Sequence, residues 1–477
     1  MKICVLQPDY STSAVDYQYY DPARNLSALL PDVEFHHVLL NKLTTYKQLL
    51  ALSKQGFDCF VNLCEGYLEW EVPSIDVIYT LELLNLPFTG PNSLLYDPPK
   101  ELMKYVAYTE GVATANYALI DTVEHLEEQI KQLNFPLFVK PAKAGDSLGI
   151  DDTSRVDDVA ALQQKVTQLL NDYPQLLVEE YIAGREFTVL VAADTSDEKT
   201  CKVFQPIEFI FPEGRTFKTY ALKTSELHPE SNIPVTDISI KQQLTEAAQR
   251  IFRSFGGVGY ARMDFRMNDA GKLFFLEVNF TCSVFYTDGY EGSADYIIKA
   301  DGIGQAGFLQ HIIDEGIARH KRKQKKYVMK GNSIAGFGIY ANTHIAEGEI
   351  IFKGEERPQR IVTKRWVEEN WLPEEKLLFK HYAVPLSTEV YVLWDNNPSE
   401  WAPQNHSCRP NTAYKGLNMV ALHPILPGQE LTLDYADLLN ESAETFECQC
   451  GTPDCRKTIS GAKGNSVTQK EQMNRPH

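Results

Sequence analysis

The sequence predicts an α/β body followed by a smaller, mostly β module that ends in a cysteine-rich segment. Three observations predict this. From Lys2 to about residue 318, short apolar runs of strand length alternate with segments of helical period, the pattern of sheet covered by helices. From Tyr327 the pattern changes to short strands, turns and paired glycines, as in all-β modules. Between them runs His320-Lys321-Arg322-Lys323-Gln324-Lys325-Lys326, which reads as a solvated linker with cations at a helix C-terminus or as a phosphate-binding or targeting patch. The predicted boundaries are an N-terminal α/β domain over 1–96, a second domain over 97–318, a basic linker over 319–326, the β module over 327–440, a cysteine segment over 441–462 and a disordered tail over 463–477.

Composition sets outer limits. The formal net charge of −18 argues against a nucleic-acid binder, which needs a basic stripe for phosphates, and favours cationic partners such as Lys-rich segments. Neither a signal peptide nor a membrane span is evident, so a soluble, cytoplasmic protein that does not engage membranes is expected. Of nine cysteines, Cys4, Cys59, Cys64, Cys201 and Cys282 read as reduced core or strand residues, and the other four cluster towards the C-terminus.

Along the chain, Lys2 to Leu6 and Phe57 to Leu63 read as strands with a helical segment Tyr46 to Lys54 between them, and Ile75 to Leu84 as a further helix. The Gly-rich dinucleotide fingerprint is missing, which lowers the case for a nicotinamide enzyme. Leu102, Met103 and Val106 follow Lys100 at helical spacing, and Glu124 to Gln132 reads as another helix. The apolar strand ending at Val139-Lys140 runs into a small-residue loop; Lys140 either lays an ammonium against phosphates or merely snorkels. Two strands punctuated by Gly184 bring Glu179 and Glu186, acids able to hold an amino group and a ribose. Ala261 to Phe265 and Phe274 to Asn279 read as strands paired through the turn Asn268-Asp269-Ala270-Gly271. Side chains alternate on strands, so Glu277 and Asn279 share a face that Asp264 can join. Two carboxylates and an amide oxygen suit Mg²⁺ beside nucleotide phosphates; the alternative is a hairpin with solvated acids.

This order of pieces resembles the ATP-grasp superfamily, and within it the D-alanine–D-alanine ligases, over about residues 1 to 315. The resemblance implies an α/β N-terminal domain followed by α+β grasp subdomains. It places Lys100, Lys140 and Lys223 on ATP phosphates, Glu179, Tyr181 and Ile182 in an adenine pocket, and Glu186 on the ribose. It makes Asp264, Glu277 and Asn279 the magnesium ligands and sets Arg262 against the reacting carboxyl. The implied chemistry is phosphorylation of a carboxylate to an acyl phosphate that an amine then attacks, with no protein nucleophile. Where those ligases carry Ser-Pro-Gly after the metal strand, this chain has Thr281-Cys282-Ser283-Val284-Phe285-Tyr286, so a different acceptor pocket, and a related carboxylate–amine ligase in place of a cell-wall enzyme, is expected.

In the β module, Cys448, Cys450 and Cys455 with the distant Cys408 make a tetrahedral thiolate zinc set; a disulfide fits poorly, because cysteines at i and i+2 bridge badly. Ser333 to Ala341, Asn405-His406-Ser407-Cys408 and Gly428 to Tyr435 resemble, in that order, a SET-domain lysine methyltransferase with a post-SET zinc tail. The resemblance implies an S-adenosylmethionine site at Ala335, Phe337, Gly338, Asn405, His406 and Tyr435, with Tyr435 also the catalytic tyrosine. It assigns Zn²⁺ to Cys408, Cys448, Cys450 and Cys455. Tyr382, Tyr391 and Trp394 are candidates for the amine channel or plain core, and Thr363 to His381 reads as a helical insert. The expectation is a bifunctional enzyme using ATP, Mg²⁺, S-adenosylmethionine and Zn²⁺, with small-molecule carboxylate and amine substrates, a lysine-type methyl acceptor and a homodimer as the candidate assembly. The alternative is a methyltransferase whose first half only docks nucleotide or substrate.

Overall fold

The computed structural model describes residues 1–11, 21–65, 71–143, 148–197, 199–218, 229–357, 359–394, 404–439 and 445–460, within two compact units, Met1–Lys323 and Gln324–His477. Lys223 and the expected tail over 463–477 lie outside the described residues.

The first unit opens with β1 (Lys2–Pro8), β2 (Glu34–Leu40), α1 (Thr45–Leu52), β3 (Cys59–Asn62) and α2 (Ile75–Leu83). The strands form a parallel sheet in the order β2-β1-β3. Ile3 to Leu6 are fully buried, as expected of a central parallel strand covered on both faces. Of these five elements, strand β2 is the one the sequence did not announce. It lies at the sheet edge with Glu34, His36 and His37 exposed, so it lacks the apolar run of a covered strand.

Next come α3 (Lys100–Thr109), β4 (Ala113–Thr114), β5 (Tyr117–Ile120), α4 (Leu126–Gln129), β6 (Leu137–Pro141), β7 (Arg155–Val156), α5 (Val159–Leu169) and β8 (Leu176–Glu180). The last four strands pair in the order β5-β8-β6-β7. Helix α4 is a single turn, much shorter than the Glu124–Gln132 segment suggested by periodicity. The larger sheet contains β9 (Arg185–Ala193), β10 (Cys201–Val203), β11 (Ile207–Phe209) and β12 (Asn232–Pro234), then, after α6 (Ile238–Ser254), β13 (Tyr260–Met267) and β14 (Leu273–Asn279). Its order is β12-β11-β9-β13-β14-β4, with β10 attached to β9. Ala261, Met263 and Phe265 face a core shared with Leu244, Ala248 and Ile251 of α6, leaving Arg262, Asp264 and Arg266 on the opposite face. Helices α7 (Ser293–Asp301) and α8 (Gly304–Lys323) close the unit.

The predicted 319–326 linker is corrected here: residues through Lys323 complete α8, and the units divide after it. Cations in a last helical turn complement the carbonyl end of the helix dipole, so His320 to Lys323 extend the helix.

The second unit comprises β15 (Tyr327–Asn332), β16 (Gly336–Ala341), β17 (Ile350–Phe352), β18 (Gln359–Thr363), α9 (Lys364–Asn370), α10 (Pro373–Tyr382), β19 (Val384–Pro385), β20 (Val390–Trp394), β21 (Asn405–His406), β22 (Thr412–Lys415), β23 (Asn418–Ala421), β24 (Thr432–Leu433), α11 (Tyr435–Leu438), β25 (Phe446–Glu447) and β26 (Thr458–Ile459). It is a set of small sheets, β15-β16, β17-β23-β22, β18-β20-β19, β21-β24 and β25-β26, around a core of Ile339, Ile345, Val392, Met419 and Leu431. The expected helical insert is two helices, the first capped by Thr363, whose hydroxyl accepts from the Trp366 N–H at 3.2 Å.

Candidate functional site

Three adjacent strands carry the polar face of the large sheet. Register places Thr188 beside Asp264 and Asp264 beside Glu277, with Arg262 opposite Asn279. A bulge between Asp264 and Phe265 shifts the pairing there, which increases local twist and re-aims side chains. Thr188 Oγ1 donates to Asp264 Oδ1 at 2.9 Å, and Arg262 Nη2 lies 3.4 Å from Asp264 Oδ2. Asp264 and Glu277 are thus brought face to face as the alternation argument required. Asn279 shares their face, but its Oδ1 already accepts from the Thr281 N–H at 3.0 Å and hydroxyl at 3.2 Å.

Above this face the lysines converge. Lys100 opens α3 and puts Nζ 3.4 Å from Glu277 Oε2. Lys140, at the end of β6, and Lys104, one turn beyond Lys100, each sit 2.6 Å from opposite oxygens of Glu179. Burial pushes the Glu179 carboxyl up, but the two ammoniums outweigh it and hold the group down at about 2. Burial lowers the Lys104 pKa; Lys140 is buried as well, but Glu179 and Glu277 raise it.

At the other end of the cleft Glu186 is buried and pairs with Arg266 at 2.9 Å and Lys218 at 3.2 Å. Burial raises its pKa, and the two cations more than reverse this. Arg266 also donates to the carbonyls of Ile182 and Thr216, at 2.8 and 2.6 Å. Tyr181 stacks near Phe138 with ring centres 6.2 Å apart, and Phe217 meets Phe138 edge-on at 5.1 Å. Phe138, Lys140, Glu179, Tyr181, Ile182, Glu186, Asp264 and Glu277 all line one cavity with Phe217, Lys218 and Arg266. Aromatic and apolar side chains thus share one cavity with a dense set of charges, concave surroundings of the kind that bind a polar small molecule.

Sequence reasoning missed Lys104, Lys218 and Arg266, and it missed a second cluster at the carboxyl ends of β1 and β3. There Arg24 is almost fully buried, 3.0 Å from Asp21 and 3.7 Å from Glu65, and it donates to the Val284 carbonyl at 3.0 Å. Its guanidinium lies 4.6 Å over the Tyr286 ring, whose hydroxyl donates to Asp21 at 2.8 Å. Tyr10 bonds Asp21, and Ser283 bonds Glu65. The segment 281–286, where the chain departs from Ser-Pro-Gly, is therefore one wall of this cluster. Carboxyl ends of parallel strands are where open α/β sheets bind ligands.

In the second unit Asn405 Nδ2 donates to the Phe337 carbonyl at 2.9 Å and to Glu430 Oε1 at 2.7 Å. Glu430 also accepts from Asn332 at 3.0 Å, and Asn332 Oδ1 holds the Ala335 N–H at 3.0 Å. A Cβ on Gly338 would lie 2.3 Å from Glu430 Oε1 and 3.0 Å from Asn405 Nδ2, so a side chain there would push the Glu430 carboxylate out of its bonds to Asn405 and Asn332. His406 Nδ1 accepts the Tyr435 N–H at 3.1 Å, and the Tyr435 hydroxyl donates to the Gln404 carbonyl at 2.7 Å. Burial and the nearby Glu430 push the Tyr435 hydroxyl up to about 12. Tyr391 is buried against Phe379, 4.9 Å between ring centres, a core packing; the Trp394 side chain is outside the described set. Glu430 is the residue missed here.

Beside His406, Nε2 to Cys408 Sγ is 3.4 Å. The sulfurs of Cys408, Cys448, Cys450 and Cys455 all lie within 4.8 Å of one another, Cys408 and Cys448 at 3.8 Å. A tetrahedron with Zn–S of about 2.3 Å has edges near 3.8 Å, so the donor set fits such an ion. All nine cysteines are free thiols.

Residues 106–287 match the family described as D-ala D-ala ligase C-terminus, and residues 336–436 match the SET domain family. The chain is 31% identical to a D-alanine–D-alanine ligase of Lactococcus lactis over 206 residues, 42% of this chain and 57% of that protein. It is 30% identical to the one from Nocardia farcinica over 248 residues, 50% and 65% of the two chains. The matched region thus spans little more than half the length of the first of these relatives. Among solved structures, the D-alanine–D-alanine ligase of Bacillus anthracis complexed with ATP superposes with a TM-score of 0.50 at 20% identity, covering 68% of this chain and 99% of that one. The ligase from Coxiella burnetii gives 0.50 at 19%, covering 68% and 97%. The first unit therefore has the ATP-grasp fold of these ligases. The whole chain resembles such a ligase joined to a SET domain.

Proposed function

We propose that the chain is a bifunctional enzyme, an ATP-dependent carboxylate–amine ligase joined to an S-adenosylmethionine-dependent N-methyltransferase of the SET type. The observation that carries the ligase half is a local concentration of cations. In a chain of net charge −18, the cleft gathers Lys100, Lys104, Lys140, Lys218, Arg262 and Arg266 about Glu179, Glu186, Asp264 and Glu277. With Glu180, which turns to Asn116 and Asn134, five carboxylates stand against six cations, a near balance in place of the strong acidic excess of the chain. Such a site suits a polyphosphate.

Asp264 and Glu277, with Asn279, would hold Mg²⁺, which neutralises phosphate charge when bound. Lys100 and Lys140 would orient the phosphates, Tyr181, Phe138 and Phe217 would enclose the base, and Glu186 would meet the ribose. A substrate carboxylate oxygen attacks the γ-phosphorus as the bond to the bridging oxygen breaks and ADP leaves; an amine then attacks the acyl carbon and phosphate departs. Arg262 would stabilise the oxyanion of that second step. Asp21 and Glu65, two acids against the single guanidinium of Arg24, suit the ammonium of an amino acid or small peptide.

In the second unit the backbone around Ala335, Phe337 and Gly338, with Asn405 and His406, would hold S-adenosylmethionine. The Tyr435 hydroxyl would orient a neutral lysine-type amine for in-line transfer, which relies on positioning and exclusion of water. Cys408, Cys448, Cys450 and Cys455 would bind a structural zinc. Glu277→Gln and Tyr435→Phe, made separately and assayed for ATP-dependent phosphate release and for labelled methyl transfer, should each abolish one activity and spare the other. A chain inert with ATP across carboxylate and amine panels would reduce the first unit to a docking module.

A further inference from the structure

Lys104, Glu179 and Lys140 form a buried cluster with unequal charge. Two ammoniums share one carboxylate, Lys104 on Oε2 and Lys140 on Oε1, both at 2.6 Å, and the side chains are 2%, 8% and 6% exposed for Lys104, Lys140 and Glu179. Glu277 also acts on Lys140 but is itself paired with Lys100, so three ammoniums against two carboxylates still leave one excess positive charge, which is costly in so dry a place unless a partner arrives. Lys104 sits one helical turn beyond Lys100 along α3, where it also donates to the Ala115 carbonyl at 3.4 Å. It is Lys140, with Glu179, that lines the cavity.

On the nucleotide-binding reading given above, we propose that Lys104 is a positioning residue: by occupying one oxygen of Glu179 it keeps that carboxylate from fully neutralising Lys140, whose remaining charge attracts the nucleotide phosphates. Without the Lys104 ammonium, Glu179 and Lys140 become a closed neutral pair. Phosphate attraction falls and contact with the base is untouched. The depressed titration of Glu179 and the lowered pKa of Lys104 agree with a carboxylate that stays ionised between two cations, one of them held there against its own desolvation.

The test is calorimetric titration of the full chain with ATP and, separately, with adenosine, for wild type, Lys104→Met, Glu179→Gln and the double variant. Lys104→Met should weaken ATP by about tenfold or more, equivalent to about 1.4 kcal/mol, and leave adenosine nearly unchanged. The double variant should regain most of the lost ATP affinity, because a neutral amide in place of the Glu179 carboxylate releases Lys140. Equal loss of ATP and adenosine in Lys104→Met, or a double variant no better than Lys104→Met, would overturn the proposal and leave Lys104 a supporting residue. Should Lys104→Met fail to fold, Glu179→Gln alone decides: the preference for ATP over adenosine must rise, and an unchanged ratio sinks the idea. Wild-type protein that binds no ATP refutes the nucleotide reading itself.

Discussion

At the scale of single residues, the site depends on a few contacts with no slack. Gly338 is one, since a side chain there must displace the carboxylate that joins Asn332 to Asn405. Gly338→Ala should cut S-adenosylmethionine affinity at least about tenfold while ATP-dependent phosphate release stays at the wild-type rate. Asp21 and Glu65 are a second case: Glu65→Gln should raise the KM for the amine-bearing substrate with little change in the KM for ATP, measured by phosphate release at saturating partner. Residue types were the most legible part of the sequence where spacing is short, as for Asp264, Glu277 and the Cys448-Cys450-Cys455 set. Lys104 and Arg266 were not legible, because a lysine on a helix and an arginine on a strand look like ordinary surface charges until tertiary packing buries them. The Arg24–Val284 contact spans 260 positions, beyond the reach of any local pattern.

Among elements, the β13–β14 hairpin was readable because its alternation is strong and its turn residues are distinctive. Strand β2 and the single-turn α4 were not, the first for its polar edge and the second because periodicity over a few residues does not fix a length. Helix α6 depends on its start: Asp237 accepts from the Ser239 and Ile240 N–H groups at 2.9 and 3.0 Å. Asp237→Ala should therefore cost about 1 kcal/mol in urea unfolding. Gly259 just before β13 is more sensitive, at φ +67° and where a Cβ would lie only 2.2 Å from the Gly90 carbonyl oxygen. Gly259→Ala should cost more than the cap, since backbone would have to move.

For the molecule as a whole, pH and metal supply global readouts. Asp295 is fully buried, and burial pushes its carboxyl up to about 6 from the usual carboxylate range, although it accepts from the Phe285 and Gly292 N–H groups at 2.7 and 3.2 Å. Its folded pKa lies above its unfolded one, so the native state holds the extra proton. Its contribution is complete below about pH 4 and is lost as pH rises through about 6, roughly 3 kcal/mol in all. Asp295→Asn should flatten the stability curve of the first unit over that interval, seen by denaturant titration at successive pH values. A strong thiol-competing chelator should lower the melting temperature of the second unit and stop methyl transfer without altering phosphate release. No helix among the described residues is long and apolar enough to cross a membrane.

Strand β13 presents Ala261, Met263 and Phe265 to the core while Arg262, Asp264 and Arg266 face the cleft. A repacked interior cannot relax without tilting the very backbone that aims the carboxylate. On the ligase reading, drift on the apolar side is thus held in check by what the polar side must do. Libraries restricted to apolar residues of similar size at Met263 or Phe265 should yield many stable clones and few fast ones, the surplus of sturdy but sluggish variants measuring how tightly one ribbon yokes the two demands.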